Sequence, residues 1–575
     1  MQEKGIETRE LVRRPGVEDR LQGMLRNDDS PEIRWKAAAN DNESTRNDIA
    51  PAARPAPMNS CIIRRNGPVI RSIRGNPGEK DNNNKQVAAG PMQLQTTQLI
   101  VFAIFTALIG AITWYKVRTA KIHSTDSNKE YFLAGGGLSW IFVAGSITLT
   151  NLSTEQLVGM NGNQMALLAW WELAAVVGLI ILAKVFLPIY YRYNCTTTTE
   201  LLEKRYRDAR IRTVIGTLFL LGNIFIYLPS VLYTGSLFMQ SMFQVDVPIM
   251  FIAVAFALIG AAYAVLGGLR AVAISDTYSG VILLAMGLVV VLLSLSAIDF
   301  DLSGIPRERL TMIGDSDSPI PWHTLLTGMI FIQTFYWSTN QTITQRAMAA
   351  PTVEEAQKGV FAAAAIRLLV IPPMIVIPGI VAFKLYGDIG DAAYGRIVGD
   401  LLPVWMSGIF AAAIAAAVLT TFNSILNSST TLFVCDIYEK YVDEDPNVPV
   451  LGGVITMVFV AIALMLVPVY SGAESIINLL QELNGLLSMP ILSVFIVGLL
   501  FRGVDPRAAI FAVLFGSSFY AFLTFGLDEM PLHYIHMMLI TLVSCVMVAL
   551  AANRFVFGGV ATFGYAMSDQ PESAE

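Results

Sequence analysis

Charge, cysteine and histidine are all scarce in this chain, and each scarcity removes a class of function. Only 15% of the 575 residues are Asp, Glu, Lys or Arg, against 54% hydrophobic residues, which is too apolar for a soluble protein of this length. The formal net charge is -6 and no basic stripe with interleaved aromatics occurs, so nucleic acid is not an expected partner. Cys61, Cys195, Cys435 and Cys545 stand far apart without a CxxC or a His at metal spacing, so neither a disulfide framework nor a zinc site is expected. His123, His323, His533 and His536 are equally dispersed and fall at expected loops and helix ends, where solvated or packing roles are the default. No nucleophile–base pair, H-E-x-x-H or phosphate loop is present, so the chain does not read as an enzyme. Its opening residues have no apolar stretch before an A-x-A site and do not read as a secretory signal peptide.

What the chain has in abundance is long apolar sequence. Mean hydropathy is +0.55, and about thirteen apolar segments predict an all-α polytopic membrane protein. They fall near 97–116, 138–162, 164–192, 211–241, 247–266, 270–297, 322–345, 357–386, 395–433, 449–470, 473–500, 507–527 and 532–556. Residues 1–91 are polar and rich in Arg, Asp, Asn and Pro, which predicts a disordered tail. Met92 directly precedes the first segment, which suggests a mis-assigned start, with a regulatory tail as the alternative. Basic connections at Lys116, Arg118 and Lys121, at Arg192, Lys204, Arg205, Arg207, Arg210 and Arg212, and at Arg502 and Arg507 belong on the cytoplasmic side of the plasma membrane. Alternation then puts the N-terminus outside and the C-terminus, with a short tail over 557–575, inside.

Polar residues interrupt two of these segments at mid-membrane depth. The run from Ser146 to Gly162 carries Thr150, Asn151, Ser153, Glu155 and Gln156, groups that lipid cannot satisfy. A single Ser or Thr is often polar glue between helices. A dense run with a Glu-Gln pair instead predicts a broken helix lining a midplane site. Five segments later, Gln333 to Gln341 repeats the pattern with Gln-Thr-Phe-Tyr-Trp-Ser-Thr-Asn-Gln. Two halves, 138–297 and 322–500, are therefore expected, preceded by an extra helix and loop over 92–137 and followed by two helices over 501–556.

Two charges also lie where the bilayer should be. Glu172 follows Trp170-Trp171, and Arg367 sits within Ala-Ala-Ile-Arg-Leu-Leu. Such groups pair or face a cavity, so either a buried ion pair or a solute site is expected. A carboxylate and a guanidinium suit a polyol, whose hydroxyls both donate and accept, and Tyr336 or Trp337 can stack on a sugar ring. In the alanine-rich segment 411–432, the adjacent hydroxyls of Thr420 and Thr421, with the carbonyls of Leu149, Leu152 and Ala417, form the neutral oxygen set expected for Na⁺.

These residues resemble the solute:sodium symporter family, in particular its sodium/galactose and sodium/glucose cotransporters. The resemblance covers the chain from Met92 onward. It is carried by Tyr131-Phe-Leu-Ala-Gly, Asn151-Leu-Ser-Thr-Glu-Gln-Leu-Val-Gly-Met, Gly267-Gly-Leu-Arg-Ala-Val with Asp276, and Tyr336-Trp337 leading to Asn340-Gln341 and Gln345-Arg346. Glu355-Ala-Gln-Lys-Gly, Asn427-Ser with Asp436-Ile-Tyr, and Gln481-Glu-Leu-Asn-Gly follow in order. The resemblance implies a LeuT-type fold with a five-plus-five inverted repeat and transport driven by sodium. It places the sugar site on Gln156, Glu172, Gln333, Tyr336, Arg367 and Gln481, with Asn151 and Trp337 beside them. It places Na⁺ on Leu149, Leu152, Ala417, Thr420 and Thr421, and a second Na⁺ in some relatives near Asp276, Asn423 and Ser424. Arg367 stands where the sugar symporters have Lys, and Gln333 and Ala175 where the galactose symporter has Asn and Ser.

The expected function is sodium-coupled import of a monosaccharide through the lipid bilayer. Alternatives are a symporter for a polyol such as myo-inositol, for sialic acid, proline or a carboxylate, or a sugar sensor without net transport. An anionic solute is expected to be repelled by Glu172.

Overall fold

The computed structural model describes residues 91–119, 133–443, 446–527 and 532–564; the expected tail before Pro91 and the residues after 564 lie outside them. Among the described residues, nine helices are long and apolar enough to cross a membrane, and Thr96–Ile112, Trp140–Asn151 and Ile249–Ala262 are shorter apolar helices. After α1 (Pro91–Thr119) come α2 (Trp140–Asn151) and α3 (Thr154–Gly162), the two halves of one interrupted span. Next are α4 (Ala166–Arg192), the surface helix α5 (Thr198–Tyr206), α6 (Ala209–Phe243) and α7 (Ile249–Ala297). A second interrupted span, α8 (Gly328–Ser338) and α9 (Gln341–Met348), opens the next set. It continues through α10 (Val353–Leu369), α11 (Ile371–Tyr386), α12 (Ala393–Leu401), α13 (Val404–Phe433), α14 (Val448–Tyr470) and α15 (Ile476–Leu500). Helices α16 (Pro506–Phe525) and α17 (Tyr534–Phe555) close the bundle, and a two-residue antiparallel ladder pairs Phe501 with Phe563.

Both polar runs are sites of helix interruption. At the first, Leu152 leaves helical geometry with φ -78° and ψ 76°, and Ser153 is extended. At the second, Asn340 is extended and its side chain accepts from the Thr342 amide at 2.9 Å, the capping contact that Asn supplies well. Each interruption ends one short helix and starts another.

Three segment boundaries differ from expectation. Segment 357–386 divides at Val370, just before Pro372-Pro373, and 395–433 divides at Leu402–Pro403; proline cannot continue a helix from its N-terminal side without losing an amide. Segments 247–266 and 270–297 are instead one continuous helical run. That run is not straight. Gly260 abuts Phe422 and Asn423, and Asp276 lies against Thr420, although sixteen residues would separate them by about 24 Å along a straight helix.

The basic connection after α4 is also more ordered than a loop. Thr197 caps α5 by accepting from the Glu200 amide at 3.2 Å, and Arg207 ends it at φ 55°. Arg212 pairs with Asp436 at 2.7 Å and Glu203 at 2.8 Å, while Arg205 donates to the Phe501 carbonyl at 2.7 Å. Arg212 thus ties α5, through Glu203, to Asp436 just past the end of α13, and Arg205 ties it to Phe501 just past the end of α15.

Three of the four histidines, His323, His533 and His536, meet in space, while His123 lies outside the described residues. His323 Nδ1 and His536 Nε2 lie 2.7 Å apart, and Thr327 Oγ1 is 2.9 Å from His536 Nδ1. His533 caps α17 beside them. Burial, then the neighbouring His536 and His323, push the His533 imidazole down to about 4. A histidine lowered on folding stabilises the protein above its unfolded value near 6.5 and gives up that stability as pH falls toward the folded value. Thermal unfolding in detergent should accordingly shift to lower temperature between pH 6.5 and 4, and His533→Asn, which can still cap α17, should flatten part of that slope.

Candidate functional site

The end of α2 meets the middle of α13. Thr421 Oγ1 donates to the Leu149 carbonyl at 3.2 Å and lies 3.4 Å from that of Thr150, and Thr420 Oγ1 donates to the Ala417 carbonyl at 3.1 Å. Leu152, three residues on from Leu149, has a backbone turned out of the helix and is fully buried. These are neutral hydroxyl and carbonyl oxygens, the donor type that fits a hard monovalent cation. Among the described residues no group of three or more His, Cys, Asp or Glu gathers to hold a metal ion.

One turn along, Ser424 Oγ is 3.3 Å from Thr150 Oγ1, and Ser146 donates to Asp276 Oδ2 at 2.6 Å. Asp276 Oδ1 and both amide atoms of Asn423 are buried without a protein partner. Arg346, fully buried, donates to Thr150 Oγ1 at 2.7 Å and to the Thr342 carbonyl. Arg346 belongs to this neighbourhood, although the sequence marks it only through the Gln345-Arg346 pair and gives it no role.

On the other side of the break lies a cavity of about 80 Å³. Seven of the eight residues expected to contact solute line it: Asn151, Gln156, Glu172, Gln333, Tyr336, Trp337 and Gln481. Arg367 does not. It stands behind the wall, fully buried, with its guanidinium paired to Glu172, donating to the Thr148 carbonyl at 3.1 Å and lying 4.3 Å from the Trp337 ring centre. Glu172 also accepts from Gln156. Both carboxylate oxygens thus have protein partners, and the positive charge of Arg367 meets the negative charge of Glu172, so Glu172 is not a free anion.

Other lining side chains are held from outside the cavity. Gln333 donates to the Trp171 carbonyl at 2.9 Å and accepts from Trp337 Nε1 at 2.9 Å. Gly178 permits this approach of α4 to α8, since a side chain there would run into the Gln333 carbonyl. Asn151, with its amide oriented to satisfy both atoms, donates to Tyr336 Oη at 2.8 Å and accepts from Arg367 at 3.0 and 3.1 Å. Gln481 accepts from Asn484 at 3.3 Å, and Asn484 in turn accepts from Tyr227.

Glu155, Tyr227 and Asn484 also line the cavity, beyond the residues expected from sequence. Glu155 and Asn484 lie within the polar motifs that single out Gln156 and Gln481. Tyr227 has no such signal. It closes a π turn over Asn223–Tyr227, just before Pro229, and the wider turn rotates its side chain relative to a regular helix.

Residues 131–516 match the sodium:solute symporter family. The chain is 35% identical to the uncharacterized symporter YidK of Escherichia coli K12 over 474 residues, covering 78% of this chain and 82% of that protein. It is 32% identical to the sodium/glucose cotransporter of Vibrio parahaemolyticus, covering 78% and 88%, and 27% identical to human sodium/myo-inositol cotransporter 2, covering 76% and 70%. The structure of a Na⁺-coupled sialic acid symporter in a substrate-bound outward-open state superposes with a TM-score of 0.69 at 17% identity, over 82% of this chain and 99% of that one. The shared fold is of the LeuT type, and this chain carries two interrupted helices in it. The chain belongs to the sodium:solute symporter family.

Proposed function

We propose that the protein uses the sodium gradient to import a neutral monosaccharide, with a cyclic polyol such as myo-inositol as the second reading. The observation that carries this is a cavity lined by amide, carboxylate and tyrosine side chains that shares one interrupted helix with the oxygens around Thr420 and Thr421. Hydroxyl-rich solutes need acceptors and donors in turn, and this wall supplies both without a free cation. The second reading is favoured by the human relative named for myo-inositol transport.

In this proposal Na⁺ binds the carbonyls of Leu149, Leu152 and Ala417 and the hydroxyls of Thr420 and Thr421. Asp276, Asn423 and Ser424 offer a second sodium position, supported by the unpartnered atoms of Asp276 and Asn423. Gln156, Glu172 and Gln481 meet solute hydroxyls, and Gln333 and Trp337 shape the wall. Arg367 is a positioning residue that holds Glu172 and Asn151, and Tyr336, tied to Asn151, closes the inner side. Each Na⁺ moving inward releases about 2.3 kcal/mol per 100 mV, which together with its concentration gradient concentrates an uncharged solute. The two halves, 138–297 and 322–500, move against each other in the plasma membrane, with the basic connections cytoplasmic.

Purified protein in liposomes should accumulate a labelled hexose or myo-inositol under an inward Na⁺ gradient and not under K⁺; no sodium-dependent uptake of either would sink the proposal. Thr421→Ala should raise the Na⁺ concentration for half-maximal uptake by about tenfold while solute preference stays as in wild type. Glu172→Gln leaves Arg367 buried without a counter-charge, a loss of about 3–5 kcal/mol, so it should lower the melting temperature markedly as well as abolish uptake.

A further inference from the structure

Two of the helices that wall the solute cavity end at its rim. Helix α3 lines the cavity at Glu155, Gln156 and Met160 and stops at Gly162, while α15 starts at Ile476 and lines it between Ile477 and Asn484. With the basic connections cytoplasmic, as proposed, both of these ends lie on the outer side. They close on each other there. A side chain at Gly159 would meet Ile476 and Ile477 at 3.0 Å, and Asn163 donates to Ser475 Oγ at 3.3 Å.

A third piece of chain is seated against both ends. The turn Gly390–Ala392, between α11 and α12, carries Asp391, whose Oδ2 accepts from the Ile476 amide at 3.0 Å. Ser475 stands at the capping position of α15 but makes no side-chain capping bond, so Asp391 supplies from 85 residues away an acceptor that the first turn of a helix needs. On its other side, a side chain at Gly162 would run into Asp391 Oδ1 and come within 2.9 Å of its Cα. The turn therefore fits only against a bare end of α3. A carboxyl oxygen accepts an amide whether or not the group is ionised, so the contact needs no standing charge.

We propose that Asp391 is a positioning residue for transport: by holding the start of α15 and seating against the end of α3, it keeps the two helices closed over the outer side of the cavity, and its release admits solute. The inference rests on the transport reading above and adds to it the side chain that holds the outer side shut. An opening that breaks this bond leaves the Ile476 amide to water, so the closed arrangement is favoured by the difference between the two partners. Nothing in the identity of the solute enters.

The test puts a thiol on the cavity wall with Ile332→Cys and reads its rate of reaction with a membrane-impermeant maleimide in right-side-out and inside-out vesicles. The parent chain without the added thiol corrects for Cys61, Cys195, Cys435 and Cys545. From outside, Asp391→Ala should raise the rate roughly tenfold, the size of effect that removing the acceptor of one buried amide carries. Gly162→Ala, which pushes the turn away, should do the same. Asp391→Asn keeps an acceptor oxygen and should stay within about twofold of wild type. From inside, neither alanine variant should react faster, because a shift toward an outward-open state is not a general loosening. An unchanged outside rate in folded Asp391→Ala and Gly162→Ala overturns the proposal, as does a rise from both sides or an Asp391→Asn variant that behaves like Asp391→Ala. Absence of sodium-dependent uptake by wild type defeats the transport reading separately, and the labelling pattern then still decides whether Asp391 closes the cavity.

Discussion

A backbone amide that leaves its helix in the middle of a bilayer has no water to turn to, and the central architecture follows from how that demand is met at two points. At the first interruption the Leu152 amide returns to the Thr148 carbonyl at 2.9 Å and that of Ser153 to Asn151 at 2.9 Å. The carbonyls at the end of α2 gain outside donors: Arg367 on Thr148, and Thr421 on Leu149. At the second, the amides of Thr339 and Asn340 share the Phe335 carbonyl, each at 3.1 Å. The carbonyl end of a helix carries partial negative charge, so α2 presents to α13 an end suited to a cation, while α3 presents to the cavity an end suited to a carboxylate.

The Glu172–Arg367 pair has to be understood in the same terms. Two ions taken out of water lose several kcal/mol each in hydration, and their attraction repays this only when the remaining donors and acceptors are filled. Here they are filled in large part by groups of the interruption itself: Gln156 on Glu172, and Asn151 with the Thr148 carbonyl on Arg367. Trp337 covers the guanidinium face, and its own indole is fixed by Gln333. The pair is therefore less a substrate hook than a strut, set by α4 and α10, that keeps the end of α2 in its unwound form.

Depth in the membrane was legible in the sequence; direction was not. Polar side chains within apolar runs are costly in lipid, so Asn151, Gln156, Gln333 and the Thr420–Thr421 pair announce an interior site by composition alone. Nothing in hydropathy says which way Arg367 points, because α10 is apolar all around it from Val360 to Leu369 and the residue is equally deep facing the cavity or standing behind it. Tyr227 is hidden for a related reason, since its place depends on a π turn rather than on a regular period. The divisions at Val370 and Leu402 escape because both flanks are apolar. The meeting of His323 with His536 depends on contacts between chain positions 213 residues apart, which no local pattern encodes.

With Na⁺ and solute bound as proposed, coupling between them follows from how few residues separate the two positions. Consecutive residues of a regular helix point about 100° apart, so neighbours on one span naturally serve different partners. The carbonyls of Leu149 and Thr150 turn to Thr421 on α13, while the next side chain, Asn151, reaches Tyr336 on α8 and Arg367 on α10. A ligand shifts a conformational equilibrium only through contacts that differ between its states. An ion that draws the end of α2 against α13 therefore fixes, one residue later, the hydrogen bond that holds Tyr336. Tyr336 belongs to the second interrupted helix, so the two repeats are joined at the tyrosine proposed to close the inner side of the cavity. A rigid, unbroken α2 would not free its last carbonyls for the ion, and the adjacent side chain would have no reason to respond.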